Sequence, residues 1–196
     1  MWLVATFPSR HYDIEQYPSV KQYLLSFGKE RLEQTGKVYL VGEEKVKSRK
    51  KTNNKWFETQ DSIAYWEDFD KPKIIWKIIG CNINFCFDEQ KILCNNAVNI
   101  MTGDRQKLIQ FIGLMNSTLF DWYLKLTTEA EVQGEGIQLY VSTLNSTPLK
   151  LNFEDDFAEC VYKRINGSIS DLDLDRAVCK AYGLTSEERL FILGVS

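Results

Sequence analysis

A run of positive charge occupies residues 45–55, KVKSRKKTNNK, and these side chains are the ones in the sequence best suited to binding a charged ligand. The run holds six Lys or Arg residues and no acid, although the whole chain has a formal charge of −3. Lys and Arg neutralise phosphates, and the paired amides Asn53 and Asn54 can hydrogen-bond to base edges. The run by itself therefore leaves two interpretations open, a nucleic-acid contact and a solvated loop that its like charges keep extended.

The residues predicted to bind DNA all lie in or beside this run: Lys47, Arg49, Lys50, Lys51, Asn53, Asn54, Lys55 and Trp56. The cations are expected to grip phosphates or enter a groove, and the two asparagines are expected to read bases. Trp56 either contacts DNA or anchors the loop in the core, whereas Phe57 is assigned to packing. A basic loop also suits an acidic protein partner, so a protein-interaction module is an alternative function.

A second pattern of charged residues suits metal-dependent hydrolysis. Asp68 or Asp70, followed by Glu89 and then Lys91, matches the spacing of the acids and lysine in many metal-dependent nucleases. In such sites carboxylates hold Mg²⁺ and the lysine polarises the attacked phosphate. Residues 88–91 also have the composition of a hairpin turn. A nuclease that uses Asp70, Glu89 and Lys91 is therefore a further alternative.

Motifs for other chemistry are missing from the sequence. It contains no GxGxxG or GxxxxGK[ST] phosphate loop and no GxSxG nucleophile motif. His11 is the only histidine and lies far from every cysteine, which disfavours a Cys–His or Ser–His pair. We expect no catalytic residue, no metal and no cofactor in this chain. The cysteines show no CxxC spacing and are expected to be free thiols: Cys81, Cys86, Cys94, Cys160 and Cys179.

The length of 196 residues, with 44% hydrophobic, allows one core, or one core with a small appendage. No apolar run approaches the roughly 20 residues that a membrane span needs, and the first residues lack a secretory signal. We therefore expect a folded cytoplasmic protein without a membrane span.

The hydrophobic pattern predicts an α/β (α+β) fold with a mixed, largely antiparallel sheet and flanking helices. An amphipathic helix is expected over residues 17–34, and the clearest strand over residues 73–80. The basic run is expected to be a loop. The other predicted elements are strands over residues 38–41, 84–87, 92–94, 97–101, 137–141 and 149–151, and helices N-capped by Asp104 and Ser117 that end near residues 115 and 127.

A change in composition near residue 152 predicts a domain boundary. Residues 153–196 hold nine acids and five bases, a net charge of −4, so the rest of the chain carries +1. Residues 1–151 are expected to form a DNA target-recognition domain. Residues 152–196 are expected to form a helical C-terminal appendage that is dispensable for the core and repels phosphates. Its three helices are predicted over residues 153–165, 172–182 and 186–193, the last with Thr185 as N-cap.

Several motifs together resemble one known family. The segment KTNNKWFETQDSIAYWEDFDKPKIIW, residues 51–76, is similar to the TaqI-like specificity domain of type IIG and related type II restriction enzymes. Residues 6–36 are similar to its approach helix, and LIQFIGLMNSTLFDWYLK, residues 108–125, to its Leu-Asn-Ser-x-Leu helix. LNSTPLKL, residues 144–151, resembles the closing strand, but has Thr-Pro-Leu where the family has a double-proline form.

The resemblance implies sequence-specific recognition of double-stranded DNA in a restriction-modification system. It also implies a parent enzyme with an upstream adenine-N6 methyltransferase domain in the same polypeptide, commonly fused to an endonuclease domain. That parent would use S-adenosylmethionine and Mg²⁺. The Asn-Pro-Pro-Tyr motif that holds a flipped adenine is absent here, so the resemblance places the chemistry upstream of Met1.

Overall fold

The chain is divided after Trp66 into two compact units. The computed structural model describes residues 3–127, 131–132, 136–150 and 152–194. The first unit is Met1–Trp66 and the second is Glu67–Ser196. Within the described ranges no helix is both long enough and apolar enough to cross a membrane.

The first unit begins with two 3-10 helices, Pro8–Arg10 and Ile14–Gln16, and then has two short α-helices where the sequence predicts one. Helix α1 spans Pro18–Leu25 and helix α2 spans Lys29–Leu32. Gly28 separates them with a φ of 87°, a backbone conformation that glycine adopts without a Cβ penalty. The predicted helix over residues 17–34 is therefore wrong in its continuity, because a residue with left-handed φ cannot continue an α-helix.

A β-hairpin follows in the first unit. Strand β1, Val38–Val41, pairs antiparallel with strand β2, Glu44–Lys47, around a turn in which Gly42 has a φ of 61°. Strand β2 includes the start of the basic run. The prediction that the whole run is a loop is therefore wrong for its first residues, whose hydrogen bonds to β1 hold them extended.

Two three-stranded antiparallel sheets form in the second unit. The first has the order β5-β3-β6, and the second has the order β4-β8-β7. The predicted strand over residues 73–80 is divided between β3 and β4, and residues 92–94 are not in a strand. The strands are β3 Lys73–Lys77, β4 Ile79–Gly80, β5 Phe85–Asp88, β6 Val98–Thr102, β7 Glu131–Val132 and β8 Gly136–Gln138.

Among its described residues the second unit also contains six α-helices, and a 3-10 helix over Trp66–Asp70 precedes its first sheet. The three predicted N-caps are confirmed: Asp104 accepts a hydrogen bond from the backbone N–H of Lys107, the Ser117 hydroxyl accepts one from that of Phe120, and Thr185 forms a capping box with Glu188. The predicted fold class is also confirmed, with antiparallel sheets, flanking helices and C-terminal helices. The helices are α3 Arg105–Met115, α4 Thr118–Thr127, α5 Val141–Ser146, α6 Asp155–Ile165, α7 Asp171–Ala181 and α8 Ser186–Leu193.

The predicted strand over residues 137–141 is only partly present: residues 137–138 lie in β8, residues 139–140 lie in no element, and helix α5 begins at Val141. Residues 149–150 are not in a strand, and residue 151 lies outside the described residues. The family-like segment LNSTPLKL therefore begins in a helix, not in a closing strand.

The C-terminal helices contribute to the same core as the sheets. Helices α3 and α6 approach so closely that a Cβ on Gly113 would lie 2.3 Å from a methyl carbon of Val161. Asp175 of α7 accepts hydrogen bonds from the backbone N–H and the hydroxyl of Thr118, at 2.7 and 2.6 Å, and so caps α4. The compact unit thus continues past residue 151. Its core includes Ile74, Trp76, Phe85, Leu108, Ile109, Phe120, Leu139, Phe157, Val161, Leu174 and Val178.

A buried ion pair joins two strands of the first sheet in the second unit. Lys73 Nζ lies 2.5 Å from Asp88 Oδ2, and the two side chains are 0% and 3% exposed. Lys73 also donates to the carbonyl of Phe69, and Asp88 accepts from the backbone N–H groups of Gln90 and Ile92. Burial alone would raise the pKa of the Asp88 carboxyl, but these hydrogen bonds and the charge of Lys73 lower it overall.

Deletion of residues 152–196 is expected to abolish cooperative unfolding of the second unit. The deletion removes several side chains from the core, and each large buried side chain is typically worth about 2–5 kcal/mol. Thermal unfolding followed by circular dichroism measures the effect. Deletion of residues 186–196 is the control, because helix α8 buries no side chain. A cooperative transition in residues 1–151 would instead support a dispensable appendage.

Asp88→Asn is expected to destabilise the second unit by about 3–5 kcal/mol, because it leaves the Lys73 ammonium buried without a counter-charge. Asp70→Asn, on a pair whose side chains are both 65% exposed, should change stability little. Urea unfolding at pH 7 measures both. The folded-state pKa of Asp88 is lowered, so its contribution is present above the unfolded pKa of about 3.9 and is lost as pH falls through the folded value. Unchanged stability in Asp88→Asn would contradict the structural role of the pair.

Candidate nucleic-acid interface

Gln34 is the buried centre around which the basic run folds. Its side chain is 3% exposed, and its amide nitrogen donates to the carbonyls of Lys55 and Glu58, both at 2.9 Å. Its amide oxygen accepts from the Thr52 hydroxyl at 2.6 Å, and its backbone carbonyl accepts from the Thr52 N–H. One side chain therefore joins the end of the helical region to three residues of the loop.

Arg49 binds the same loop from within. Its guanidinium donates to three backbone carbonyls: Leu32 at 2.8 Å, Glu58 at 2.9 Å and Trp56 at 2.5 Å. Burial lowers its pKa, an effect that the nearby Glu33 carboxylate opposes. The structure thus places Arg49, a predicted phosphate contact, inside the framework of the loop.

Asn54 is also engaged within the chain. Its amide nitrogen donates to the carbonyls of Thr59 and Gln60, at 2.9 and 3.0 Å. The turn around it is closed by Glu58, which is 6% exposed and accepts from the backbone N–H of Lys55 at 2.7 Å. Asn54, predicted to read bases, therefore has its amide donors committed to loop carbonyls.

The other predicted residues of the run point outward. Lys47, Lys50, Lys51, Asn53 and Lys55 are exposed. Within the described part of the chain, the side chains of Lys50, Lys51 and Asn53 make no hydrogen bond or ion pair. Their predicted contacts with phosphates and base edges remain predictions, and the exposure of these groups is compatible with them.

The aromatic pair that follows the run is anchored inward. Phe57 is 6% exposed, and Trp56 packs edge to face against it with the ring centroids 5.7 Å apart. The ammonium of Lys55 lies 5.6 Å from the Phe57 ring centroid, a cation–π contact that holds this lysine beside the loop. Phe57 packs as predicted, and Trp56 is half-buried, so it serves as an anchor with a partly exposed ring.

Gln34 and Glu58 are framework residues that the sequence pattern did not single out. Glu58 lies inside the family-like element Trp-Phe-Glu-x-Gln, and that motif is the signal that could have identified it. Gln34 has no comparable signal, because its partners lie 21 and 24 residues away in the sequence.

The acidic residues of the alternative nuclease site form ion pairs with Lys or Arg side chains. Lys91 Nζ lies 3.3 Å from Asp70 Oδ1, whereas the Glu89 carboxylate accepts from the Arg105 guanidinium at 2.5 and 2.9 Å. The bonds to Arg105 lower the pKa of Glu89. Across the described ranges, no group of three or more His, Cys, Asp or Glu side chains is arranged to hold a metal ion. All five cysteines are unpaired.

The chain matches the model of a known protein family. A family model described as the TaqI-like C-terminal specificity domain matches residues 12–149. This range includes the whole basic run and the framework around Gln34. No curated protein matches the chain.

Arg49→Lys is expected to loosen residues 48–60, because one ammonium cannot reach the three carbonyls that the planar guanidinium bonds. Each carbonyl left unbonded away from water costs about 1–3 kcal/mol. Hydrogen–deuterium exchange resolved by peptide should show faster exchange in this segment. Lys50→Gln, next along the chain and exposed, is the matched control and should exchange like the wild type. Equal protection in both variants would show that Arg49 does not hold the loop.

Proposed function

The chain belongs to the family of TaqI-like C-terminal specificity domains, and from this premise we propose that it recognises a specific sequence in duplex DNA. Family members supply DNA recognition to enzymes of the restriction-modification type. The first unit is the proposed reading unit, because it holds the basic run.

The observation that carries the proposal is the division of the run into an inner and an outer set. The side chains of Arg49 and Asn54 donate to backbone carbonyls of the loop and, in one bond of Arg49, of Leu32 in α2, which fixes the backbone. The neighbouring Lys50, Lys51 and Asn53 are exposed. Ordering a loop when it binds DNA costs free energy. Because internal hydrogen bonds already fix the backbone of this loop, its exposed cations can bind DNA with less of that cost.

The two sets have different proposed roles. The exposed lysines would neutralise phosphates and set the position of the chain on the duplex. Asn53 would read a base, because its amide can donate and accept at once, as adenine recognition requires. Arg49 and Asn54 become positioning residues that act through the loop, not through contact with DNA.

The parent enzyme is a wider proposal that rests on the family alone. A methyltransferase that flips its target adenine loses stacking energy of a few kcal/mol, so a second domain must grip the duplex and fix the register. An upstream adenine-N6 methyltransferase domain, possibly with an endonuclease, would use S-adenosylmethionine and Mg²⁺, and the system would work in the cytoplasm. This chain would contribute recognition and no catalytic residue.

Neutralising the exposed lysines should weaken the salt dependence of DNA binding. The variant Lys50→Gln, Lys51→Gln, Lys55→Gln should flatten the slope of log affinity against log salt by about 2–3 units, at about 0.9 per phosphate contact. Affinity should fall for every duplex sequence. Fluorescence anisotropy over a salt series, with the 196-residue chain, measures the slope.

A second triple variant of equal charge change is the control: Lys77→Gln, Lys107→Gln, Lys125→Gln, all exposed in the second unit. It should leave the slope nearly unchanged, and equal flattening would overturn the assignment to the run. Asn53→Ala should instead relax preference at one base pair, at a cost of about 1–3 kcal/mol. Binding without any sequence preference would favour a protein-interaction module.

A further inference from the structure

The outer face of the β1–β2 hairpin carries the first two lysines of the basic run beside exposed apolar side chains of β1. Side chains alternate between the two faces of a strand, and directly paired residues share a face. The pairs Val38–Lys47 and Leu40–Lys45 therefore lie on one face, and Tyr39–Val46 on the other.

The inner face is occupied by contacts of the first unit. The Tyr39 hydroxyl and the Ser48 hydroxyl each lie 3.0 Å from the Thr35 hydroxyl, and Ser48 also donates to the carbonyl of Lys37. Val46 is half-buried on this side. The hairpin is thus fixed in orientation, with its other face turned to solvent.

The outer face combines exposed apolar side chains with positive charge. Leu40 is 72% exposed and Val38 is 59% exposed, and each pairs across the hairpin with an exposed lysine. The nearby acids are elsewhere: Glu43 lies in the turn, and Glu44 pairs with Val41 on the inner side. Two aliphatic side chains and two cations thus form a small surface without an acid among its four residues.

We propose that this outer face, formed by Val38, Leu40, Lys45 and Lys47, enters the major groove and reads thymine methyl groups. The proposal rests on the function proposed above and names residues that determine specificity. A two-stranded ribbon fits the major groove, about 12 Å wide, and the thymine methyl is the apolar group exposed there. The apolar side chains would contact the thymine methyl group, and the lysines beside them would contact the flanking phosphates.

The base of the hairpin is joined to the loop framework. The Ser48 N–H bonds to the Lys37 carbonyl, the Gly36 N–H to the Arg49 carbonyl, and the Arg49 N–H to the Glu33 carbonyl, each at 2.9 Å. The ribbon and the exposed lysines after it are therefore held in one frame. A ribbon in the groove would place those lysines near the adjoining backbone phosphates.

The test uses the 196-residue chain and duplexes in which single thymines are replaced by deoxyuridine, which lacks the methyl group. Selection from a random duplex pool first gives the preferred site. At a contacted thymine, wild-type affinity should fall about fourfold on replacement, the equivalent of one buried methyl. Leu40→Ser or Val38→Ser should bind the thymine and deoxyuridine duplexes equally at that position.

Two further variants are controls for the thymine-methyl assignment. Leu40→Met keeps an apolar side chain and should keep the discrimination, whereas Leu126→Ser changes an exposed leucine of the second unit and should behave like the wild type. If both serine variants retain the full fourfold difference, or if no thymine is sensitive, the ribbon does not read methyl groups although DNA recognition stands. Failure of the wild-type chain to bind any duplex would overturn the proposed function and this inference with it.

Discussion

The loop that carries the proposed interface depends on the bonds that Arg49 and Gln34 make to its backbone. Residues 48–60 lie outside the helices and strands, so no ladder satisfies their carbonyls. Buried backbone groups without partners are costly, and the side chains of Gln34 and Arg49 make four hydrogen bonds to three carbonyls of this loop and one to the carbonyl of Leu32 in α2. The described apolar core of the first unit is small, with Phe7, Ile14 and Phe57 its buried members, so this polar network carries much of the definition of the fold.

The same network explains how a run of like charges remains folded. Arg49 is turned inward, where three carbonyl dipoles and the nearby Glu33 carboxylate compensate its charge. The remaining cations are left on the surface, where water and salt weaken their mutual repulsion. Lys55 is drawn toward the Phe57 ring. Repulsion that would extend a free loop is thus opposed by contacts at both ends of the run.

Local features of the fold could be predicted from the sequence, and features that depend on distant residues could not. Asp104 and Thr185 cap helices because their partners lie three residues away, a spacing that the sequence displays directly. The inward turn of Arg49 depends on carbonyls 7 to 17 residues away, and that of Gln34 on carbonyls more than 20 residues away. The sequence shows which residues are cationic, but it does not show which of them will donate hydrogen bonds to acceptors inside the fold. Family motifs gave the class of function for the same reason: they record long-range constraints that periodicity does not.

The residues that fix the loop backbone differ from the exposed residues proposed to contact DNA, and this difference affects how specificity can change. In the second unit, order comes from an apolar core and from polar bonds such as those of Asn116, whose amide exchanges two hydrogen bonds with the backbone of Phe85 and so extends the edge of a strand. In the first unit, the side-chain nitrogens of Gln34, Arg49 and Asn54 all donate to backbone carbonyls, which every residue possesses. Exposed side chains such as Lys50 and Asn53 can therefore change without loss of a framework bond. A recognition surface built in this way can acquire a new target sequence while Gln34 and Arg49 keep the same backbone path.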